Sequence, residues 1–420
     1  MGQLMRRFAL VAVSVGFLVG TADTASALPA RFPVADASLA VSAPVHPAQE
    51  VRHGPPLRVP SDLLVHSLAC TSNLETSGRK PVLFLHGTFV DPALNFWWNY
   101  KRVFDADQRP YCLLTMPNRA TGDIQISAEY VVYAIRTMHR RSGHKVDIIG
   151  HSQGGMIGRW ATRFWPDTRP MVDDMVGLAP SNHGINPALC QLACQPSMWQ
   201  QSIGSQFLSA LNAGQETFAG ISYTVIYTHL DEFVTPNLND QGLSALHTGA
   251  GRISNVATQD ICPTNTADHL TLGSSDAVGY ALAIDAIDHP GPADPTRIDR
   301  RVCTQLLQPG VDPVTFPVNA AISITSLALA YVTSPRTLAE PPLMPYADTA
   351  TPDPRPTITQ RHLLADPSPQ GLAAGRNQQL PPIDNQQRSR PEHPGARYNS
   401  GGLTGIEPTF SWEITRLGII

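Results

Sequence analysis

Charged residues are scarce in this sequence of 420 residues, and neither sign dominates. Charged side chains make up 15% of the chain, and the formal net charge at pH 7 is −4. So small a net charge gives no reason to expect a nucleic-acid partner. The apolar runs are also shorter than the ~20 residues of a membrane-spanning helix, so we expect no transmembrane segment. Repeats at the periods of solenoid proteins are absent as well.

Cysteines are few, and their spacing does not fit the common metal sites. The six cysteines include no C-x-x-C pair, so we expect no metal site. In an exported protein such cysteines favour disulfides, and sequence alone permits many pairings. Our working choice joins cysteines that are neighbours in chain order, with free buried thiols as the alternative: Cys70–Cys112, Cys190–Cys194 and Cys262–Cys303.

The N-terminus has the three parts of a secretory signal. Arg6 and Arg7 supply the positive charge, Phe8 to Val19 form an apolar run, and an A-x-A cleavage sequence ends at Ala27. We therefore expect residues 1–27 to be a signal peptide and the protein to be secreted.

Prolines are concentrated at the two ends of the chain, so the folded part is expected to be shorter than the whole. This composition predicts a flexible leader over residues 28–60 and a disordered tail over residues 349–420. The remaining residues, 61–348, are predicted to form one domain.

Short apolar runs alternate with helical patterns through this domain. Strands are predicted at residues 81–87, 111–116, 146–149, 171–178, 222–227 and 253–256, and helices at 94–104, 124–141, 205–213, 274–287 and 318–332. The alternation predicts an α/β fold with a mostly parallel central sheet and helices on both faces. Residues 185–204 look irregular and are expected to form a lid or rim loop. The apolar helix at 318–332 is expected to pack on the domain.

The most informative stretch is a G-x-S-x-G match, Gly150 to Gly154, with Ser152 at its centre. An apolar, β-branched run precedes it and an amphipathic helical pattern follows it. This strand–turn–helix context predicts a nucleophile elbow, in which a strained turn exposes the serine hydroxyl. Side chains two residues before or after the serine would collide with the facing strand or helix, and both positions are glycine. The alternative is an ordinary glycine-rich turn.

A serine nucleophile needs a base, and the base needs a carboxylate to orient it. In hydrolases with such an elbow the chain order is serine, acid, histidine. Asp231 is our candidate acid because it directly follows a predicted strand, and Glu232 is its nearest rival.

Five histidines are candidates for the base. His183 and His229 precede Asp231 and fail the chain order, while His247 lies near a turn and His289 follows a helix. His269 lies beyond Asp231 and just before a predicted helix, where such histidines commonly occur. We therefore predict His269 as the base.

The oxyanion of an ester hydrolase needs preorganised donors. The amide of Gln153, at the start of the helix, is one candidate. The amide of Thr88, in the loop after the first strand, is the other, and its hydroxyl offers a third bond. His86 and His151 flank this region and are expected to line it.

Six segments of the sequence resemble secreted lipases of the Candida antarctica lipase B type, within the α/β-hydrolase superfamily. In chain order they are L-F-L-H-G-T at 83–88, G-H-S-Q-G-G at 150–155, S-M-W-Q-Q-S-I-G-S at 197–205, D-E-F-V-T-P at 231–236, D-H-L at 268–270 and L-M-P-Y-A at 343–347. The resemblance implies the same catalytic serine, acid and histidine and the same oxyanion donors as above. It also supports the Cys70–Cys112 and Cys262–Cys303 pairings.

The sequence departs from the family pattern in places. Ser181 stands where the yeast enzyme has an acid near its active site, the family's third disulfide has no cysteines here, and Cys190–Cys194 is extra. The proline-rich tail has no counterpart.

Together these observations predict a secreted serine carboxylic-ester hydrolase, a triacylglycerol lipase, that needs no cofactor. Its partner is expected to be a lipid or small ester, with a lipid–water interface as a possible setting. Two alternatives remain open: an acyltransferase on envelope lipids or alcohols with the same triad, and a non-catalytic envelope-binding protein.

Overall fold

The sheet at the centre of the domain has seven strands in the order β1-β3-β2-β4-β5-β6-β7. A computed structural model describes residues 53–186, 189–190 and 193–348. The strands are β1 Leu68–Cys70, β2 Val82–Leu85, β3 Tyr111–Leu114, β4 Val146–His151, β5 Val172–Leu178, β6 Ser222–Tyr227 and β7 Arg252–Ala257. Six of them run parallel, and only the edge strand β1 is antiparallel to its neighbour β3. The predicted mostly parallel sheet is confirmed.

The described part of the chain contains twelve α-helices and four short 3₁₀ helices. The α-helices are α1 Ser61–His66, α2 Pro92–Phe96, α3 Tyr100–Ala106, α4 Ile124–Ser142, α5 Gln153–Phe164, α6 Pro196–Gln201, α7 Gln206–Asn212, α8 Thr258–Ile261, α9 His269–Leu272, α10 Ala277–Asp288, α11 Phe316–Thr333 and α12 Pro345–Asp348. The 3₁₀ helices are Pro117–Ala120, Pro166–Met171, Pro295–Arg297 and Arg300–Thr304.

Each face of the sheet carries its own hydrophobic core. Leu83 and Leu85 of β2 point to a core built with α4, α5 and α7. Val82 and Phe84, the alternating residues, point to the opposite core with α2, α3 and α10. Because both faces are covered, all four residues of β2 are buried, which explains its continuous apolar sequence.

All six cysteines form disulfides, in the three pairs chosen from chain order. Cys70–Cys112 joins the edge strand β1 to β3 at a position where the two residues are in register. Cys262–Cys303 and Cys190–Cys194 fasten loops outside the sheet.

Two local predictions were wrong. The helix predicted over residues 94–104 is two helices, α2 and α3, because Asn99 has a non-helical backbone and its side-chain oxygen accepts from the amide of Tyr100 at the start of α3. The segment 185–204, expected to be irregular, contains α6, which begins with Pro196 at the position where proline favours helix initiation.

Helix α11 packs on the domain along one flank only. Leu327 and Ala330 join a small cluster with Phe89, whereas Val318, Ile322, Leu329 and Val332 are each more than half exposed. Within the described residues, α11 is also long and apolar enough to be a candidate membrane span. Only 6% of its 18 residues are buried in the protein. A single helix of this kind is weak evidence for a span, so we treat it as a surface helix with an apolar outer face.

The expected chain ends lie mostly outside the described residues. The signal peptide, the leader up to residue 52 and the tail 349–420 fall there. The last part of the leader contacts the domain: the indole of Trp165 donates to the carbonyl of Pro55 at 2.7 Å, and Glu129 accepts from the amide of Val59 at 2.9 Å.

A cluster of three aspartates around one lysine lies at the amino ends of β4 and β5. The ammonium of Lys80 is 3.2 Å from Asp147, 2.8 Å from Asp173 and 3.4 Å from Asp174. Burial raises the pKa of Asp147 to about 7 and that of Asp174 to about 6, because one ammonium offsets only part of the cost of burying these carboxylates. Asp173 also pairs with Lys145 at 3.1 Å, and hydrogen bonds from both lysines outweigh partial burial and lower its pKa.

We expect Asp147→Asn to raise the free energy of unfolding at pH 8 by roughly 1–3 kcal/mol and to change it little at pH 4. The folded protein binds a proton at Asp147 more tightly than the unfolded chain does. Asp147 therefore weakens the fold progressively as the pH rises from its ordinary pKa of 3.8 to about 7. Urea unfolding at both pH values measures the effect.

Asp173→Asn is the matched control, and its effect has the opposite sign. The lowered pKa of Asp173 means that this residue stabilises the fold above the ordinary carboxyl pKa. The control should therefore lose stability at pH 8. A loss of stability in Asp147→Asn at pH 8 would contradict the assignment of a net cost to burying Asp147.

Candidate active site

Ser152 lies at the sharp turn between β4 and α5, in a backbone conformation that L-residues rarely adopt. Its φ is 55° and its ψ is −120°. The serine follows the last residue of β4, and its amide donates to the carbonyl of Leu178 on β5 at 2.9 Å. This arrangement is the strained elbow that the sequence predicts.

The two glycines of the motif are required by close backbone contacts. A Cβ atom at Gly150 would overlap the carbonyl of Gly154, and a Cβ atom at Gly154 would overlap the carbonyl of Leu85 on β2. The steric reason given for these glycines is confirmed.

Asp231 and His269 form a buried pair supplied by two loops. Asp231 follows β6, and His269 is the first residue of α9. Nδ1 of His269 is 2.9 Å from Oδ2 and 3.0 Å from Oδ1 of Asp231. Oδ1 also accepts from the amides of Phe233 and Val234, at 3.0 and 2.7 Å, so the carboxylate is held in one orientation.

Glu232, the rival acid, bonds to the backbone of His269 instead of its ring. Its Oε2 accepts from the amide of His269 at 3.1 Å. The rival histidines lie elsewhere: His183 pairs with Glu216 at 2.5 Å, and His289 contacts Asp285 at the end of α10. The structure therefore brings Asp231 together with His269 and gives the other candidates different partners.

Thr88 lies in the loop after β2 and is held by two glutamine side chains. Its Oγ1 accepts from Nε2 of Gln153 at 3.0 Å and from Nε2 of Gln201 at 3.2 Å. The amides on either side of Thr88 are also fixed, since Gly87 donates to Asn95 at 3.0 Å and Phe89 donates to the carbonyl of Arg119 at 2.9 Å. The loop and the start of α5 are thus joined through side chains.

Comparison with known proteins places this chain in a family. Residues 79–267 match the family described as Lipase (class 2). Lipase B of Pseudozyma antarctica is 30% identical over 302 residues, which cover 70% of this chain and 86% of that protein. The crystal structure of Aspergillus fumigatus lipase B aligns with a TM-score of 0.65 at 30% identity, over 70% of this chain and 73% of the other. The chain belongs to the lipase B family. It is an α/β-hydrolase and a carboxylic-ester hydrolase of the lipase type.

In this lipase, burial and nearby charges act on His269 in opposite directions. Burial by itself would lower the pKa of His269. The charge of Asp231, its hydrogen bond, and the charges of Glu232 and Asp268 outweigh burial and raise the pKa above the ordinary value of histidine.

Ser181, the residue at the position of a family acid, is fully buried in this lipase. Its hydroxyl donates to Oε1 of Gln201 at 2.8 Å, and Gln201 in turn donates to Thr88. Gln201 lies in one of the segments that resemble the family, but the sequence predicts no role for it. Its position beside Thr88 depends on the packing of α6 against the loop after β2, which no local pattern predicts.

Asn95 and His151 have contacts near the site that the sequence does not predict. Oδ1 of Asn95 accepts from the amide of Gly87, and its Nδ2 donates to the carbonyl of Gly273 at 3.1 Å. His151, expected only to line the site, contacts both Asn95 and His269. Asn95 lies in an aromatic-rich stretch whose apolar pattern gave no signal for a buried polar residue.

We expect Asp231→Asn to lower the pKa of His269 markedly, because it removes both the nearest negative charge and the ionic hydrogen bond. Glu232→Gln should lower the same pKa by a smaller amount. NMR titration of the imidazole signals measures both shifts.

Glu75→Gln is the control, since Glu75 is exposed and pairs with Arg141 on the surface. This change should leave the pKa of His269 where it is. A larger shift in Glu232→Gln than in Asp231→Asn would show that Asp231 is not the dominant partner of the ring.

Proposed function

We propose that this lipase hydrolyses esters through a Ser152–His269–Asp231 triad and an acyl-enzyme. The buried hydrogen bond between Asp231 and His269 is the observation that carries the proposal. Nδ1 of His269 faces an acceptor-only carboxylate, so it carries the proton and leaves the lone pair of Nε2 free to act as a base.

The steps use only side chains and backbone amides of this chain. Ser152 Oγ attacks the ester carbonyl while Nε2 of His269 takes its proton. His269 then protonates the leaving alkoxide, and the acyl group remains on Ser152. Water attacks the acyl-enzyme, gives its proton to His269, and releases the carboxylic acid. Asp231 stabilises the imidazolium that forms in both halves of the reaction. No step needs a metal or cofactor.

The oxyanion is proposed to bind at Thr88 and Gln153. The amide of Gln153 lies in the first turn of α5, where amides have no partner within the helix and the helix dipole favours negative charge. The hydroxyl of Thr88 accepts two amide N–H bonds, from Gln153 and Gln201, so its lone pairs are used and its proton is available for the oxyanion.

We propose lipids as the substrate class, reached from a lipid–water interface. Tyr331 of α11 packs its ring on Phe89, the neighbour of Thr88, at a centroid distance of 5.5 Å. The C-terminal half of α11 therefore lies beside the proposed oxyanion loop, and its outer face exposes Leu329 and Val332. A face of this kind suits contact with lipid better than contact with water.

Export is part of the same proposal. All six cysteines are paired, and disulfides persist in oxidising compartments outside the cytosol. Together with the signal-like N-terminus, this supports a secreted or cell-envelope enzyme whose catalytic part is residues 61–348.

We expect Ser152→Ala to lose about 10⁴-fold or more in turnover on a panel that runs from soluble short-chain esters to emulsified triacylglycerol. Ser209→Ala, on an exposed part of α7, is the matched control and should retain full activity. Equal turnover by wild type and Ser152→Ala would exclude the mechanism.

The same panel separates the candidate activities. Turnover of emulsified triacylglycerol supports a lipase, and turnover of soluble esters alone would reduce the proposal to an esterase. Preferential transfer of the acyl group to an added alcohol, over water, would replace hydrolysis by acyl transfer.

For the interface we expect the double change Val318→Ser with Ile322→Ser to lower turnover of emulsified triacylglycerol about tenfold, as loss of ~1.4 kcal/mol of apolar burial would do. Turnover of a soluble ester should stay unchanged, because neither side chain belongs to the triad. Leu306→Ser is the control, since Leu306 is 77% exposed and lies outside α11. Equal losses on both substrates would contradict an interfacial role for this face.

A further inference from the structure

His151, the residue before the candidate nucleophile, touches the candidate base. Its Nε2 is 3.0 Å from the backbone carbonyl oxygen of His269, and the two rings lie 5.0 Å apart. Its Nδ1 is 3.2 Å from Oδ1 of Asn95. His151 is 5% exposed, so protein surrounds it almost completely.

The contacts of Asn95 decide which ring nitrogen of His151 carries the proton. Asn95 cannot be turned around, because Oδ1 accepts from the amide of Gly87 and Nδ2 donates to the carbonyl of Gly273. Both nitrogens of His151 therefore face oxygen acceptors. Burial, with the nearby rings of His269 and His86, lowers the pKa of His151 to about 3, so the ring is neutral and has one N–H. We assign that proton to Nε2, whose contact is the shorter of the two.

The ring of His151 is packed closely against two glycines. A Cβ atom at Gly273, directly after α9, would overlap the ring of His151. A Cβ atom at Gly87 would lie 3.2 Å from Nδ1 and 3.3 Å from the Cβ of Ser152. His151 thus fills the gap between the elbow, the oxyanion loop and the helix that begins with His269.

We propose that His151 is a positioning residue, whose Nε2–H donates to the carbonyl of His269 and holds this histidine at a fixed place relative to Ser152. The proposal rests on the proposed triad and goes beyond it. Ser152 and His269 are 117 positions apart in sequence. His151 is joined to Ser152 by a peptide bond and to the backbone of His269 by a hydrogen bond. Asn95 makes a second link of this kind, since its side chain joins the oxyanion loop to Gly273.

The expected effect of losing the bond is on the chemical step. A base displaced by a fraction of an ångström costs about tenfold or more in kcat, while substrate binding is little affected. His151→Leu should therefore lower kcat about tenfold on a soluble ester, with KM nearly unchanged. In His151→Gln the side-chain amide can also donate an N–H to the carbonyl of His269, so this variant should recover most of kcat. His289→Leu is the surface control and should match wild type.

The ¹⁵N chemical shifts of the His151 ring in the wild-type protein give a test that does not depend on a variant folding. The proposal requires a neutral ring protonated at Nε2 throughout pH 5–9. A ring protonated at Nδ1, or a charged ring, would overturn it. So would a His151→Gln variant that loses as much kcat as His151→Leu while both remain folded in thermal unfolding.

These outcomes are separate from failure of the triad. If Ser152→Ala kept full turnover, the proposed function would fail whatever the tautomer of His151. If Ser152→Ala were inactive but His151→Leu kept the kcat of wild type, only the positioning role would fail.

Discussion

The turn between β4 and α5 brings backbone segments closer than any side chain allows. Gly150 faces the carbonyl of Gly154, and Gly154 faces the carbonyl of Leu85 on the neighbouring strand. This contact fixes where α5 begins relative to β2. It also forces Ser152 into a strained conformation at the carboxyl edge of the sheet. The loop after β2, which carries Thr88, must lie beside the start of α5 for the same reason.

The remaining groups of the proposed site reach this edge because the strands are parallel. β6 lies two strands from β4, and its carboxyl end leads to Asp231. Parallel strands place their carboxyl ends at one edge, so the loops that follow them meet there. What the topology leaves open is orientation. The amides of Phe233 and Val234 supply it for Asp231, and Glu232 and His151 hold the backbone of His269 on two sides.

The parts of the fold that could be predicted are those with a local cause. The buried run of β2, the glycines around Ser152 and the helix after it each follow from a few adjacent residues. The break at Asn99 and the edge strand β1 could not be read in this way. Asn99 caps α3 through its side-chain oxygen, and β1 has only three residues. Asn95 and Gln201 act through bonds to backbone or side chains far away in sequence, and no spacing rule identifies such partners.

Sequence spacing also does not predict the pKa values of the histidines near the site, because these depend on burial and on neighbouring charges. His86 accepts from the amide of Met116 and faces the carbonyl of Gly87, and burial lowers its pKa to about 4. His151 is also kept neutral by burial. His269 is equally buried, but Asp231 reverses the effect and raises its pKa. A proton can therefore move onto His269 while its neighbours stay neutral. Because a charged His151 would repel the imidazolium that forms beside it, the neutrality of His151 favours the proposed mechanism in the same direction as the charge of Asp231.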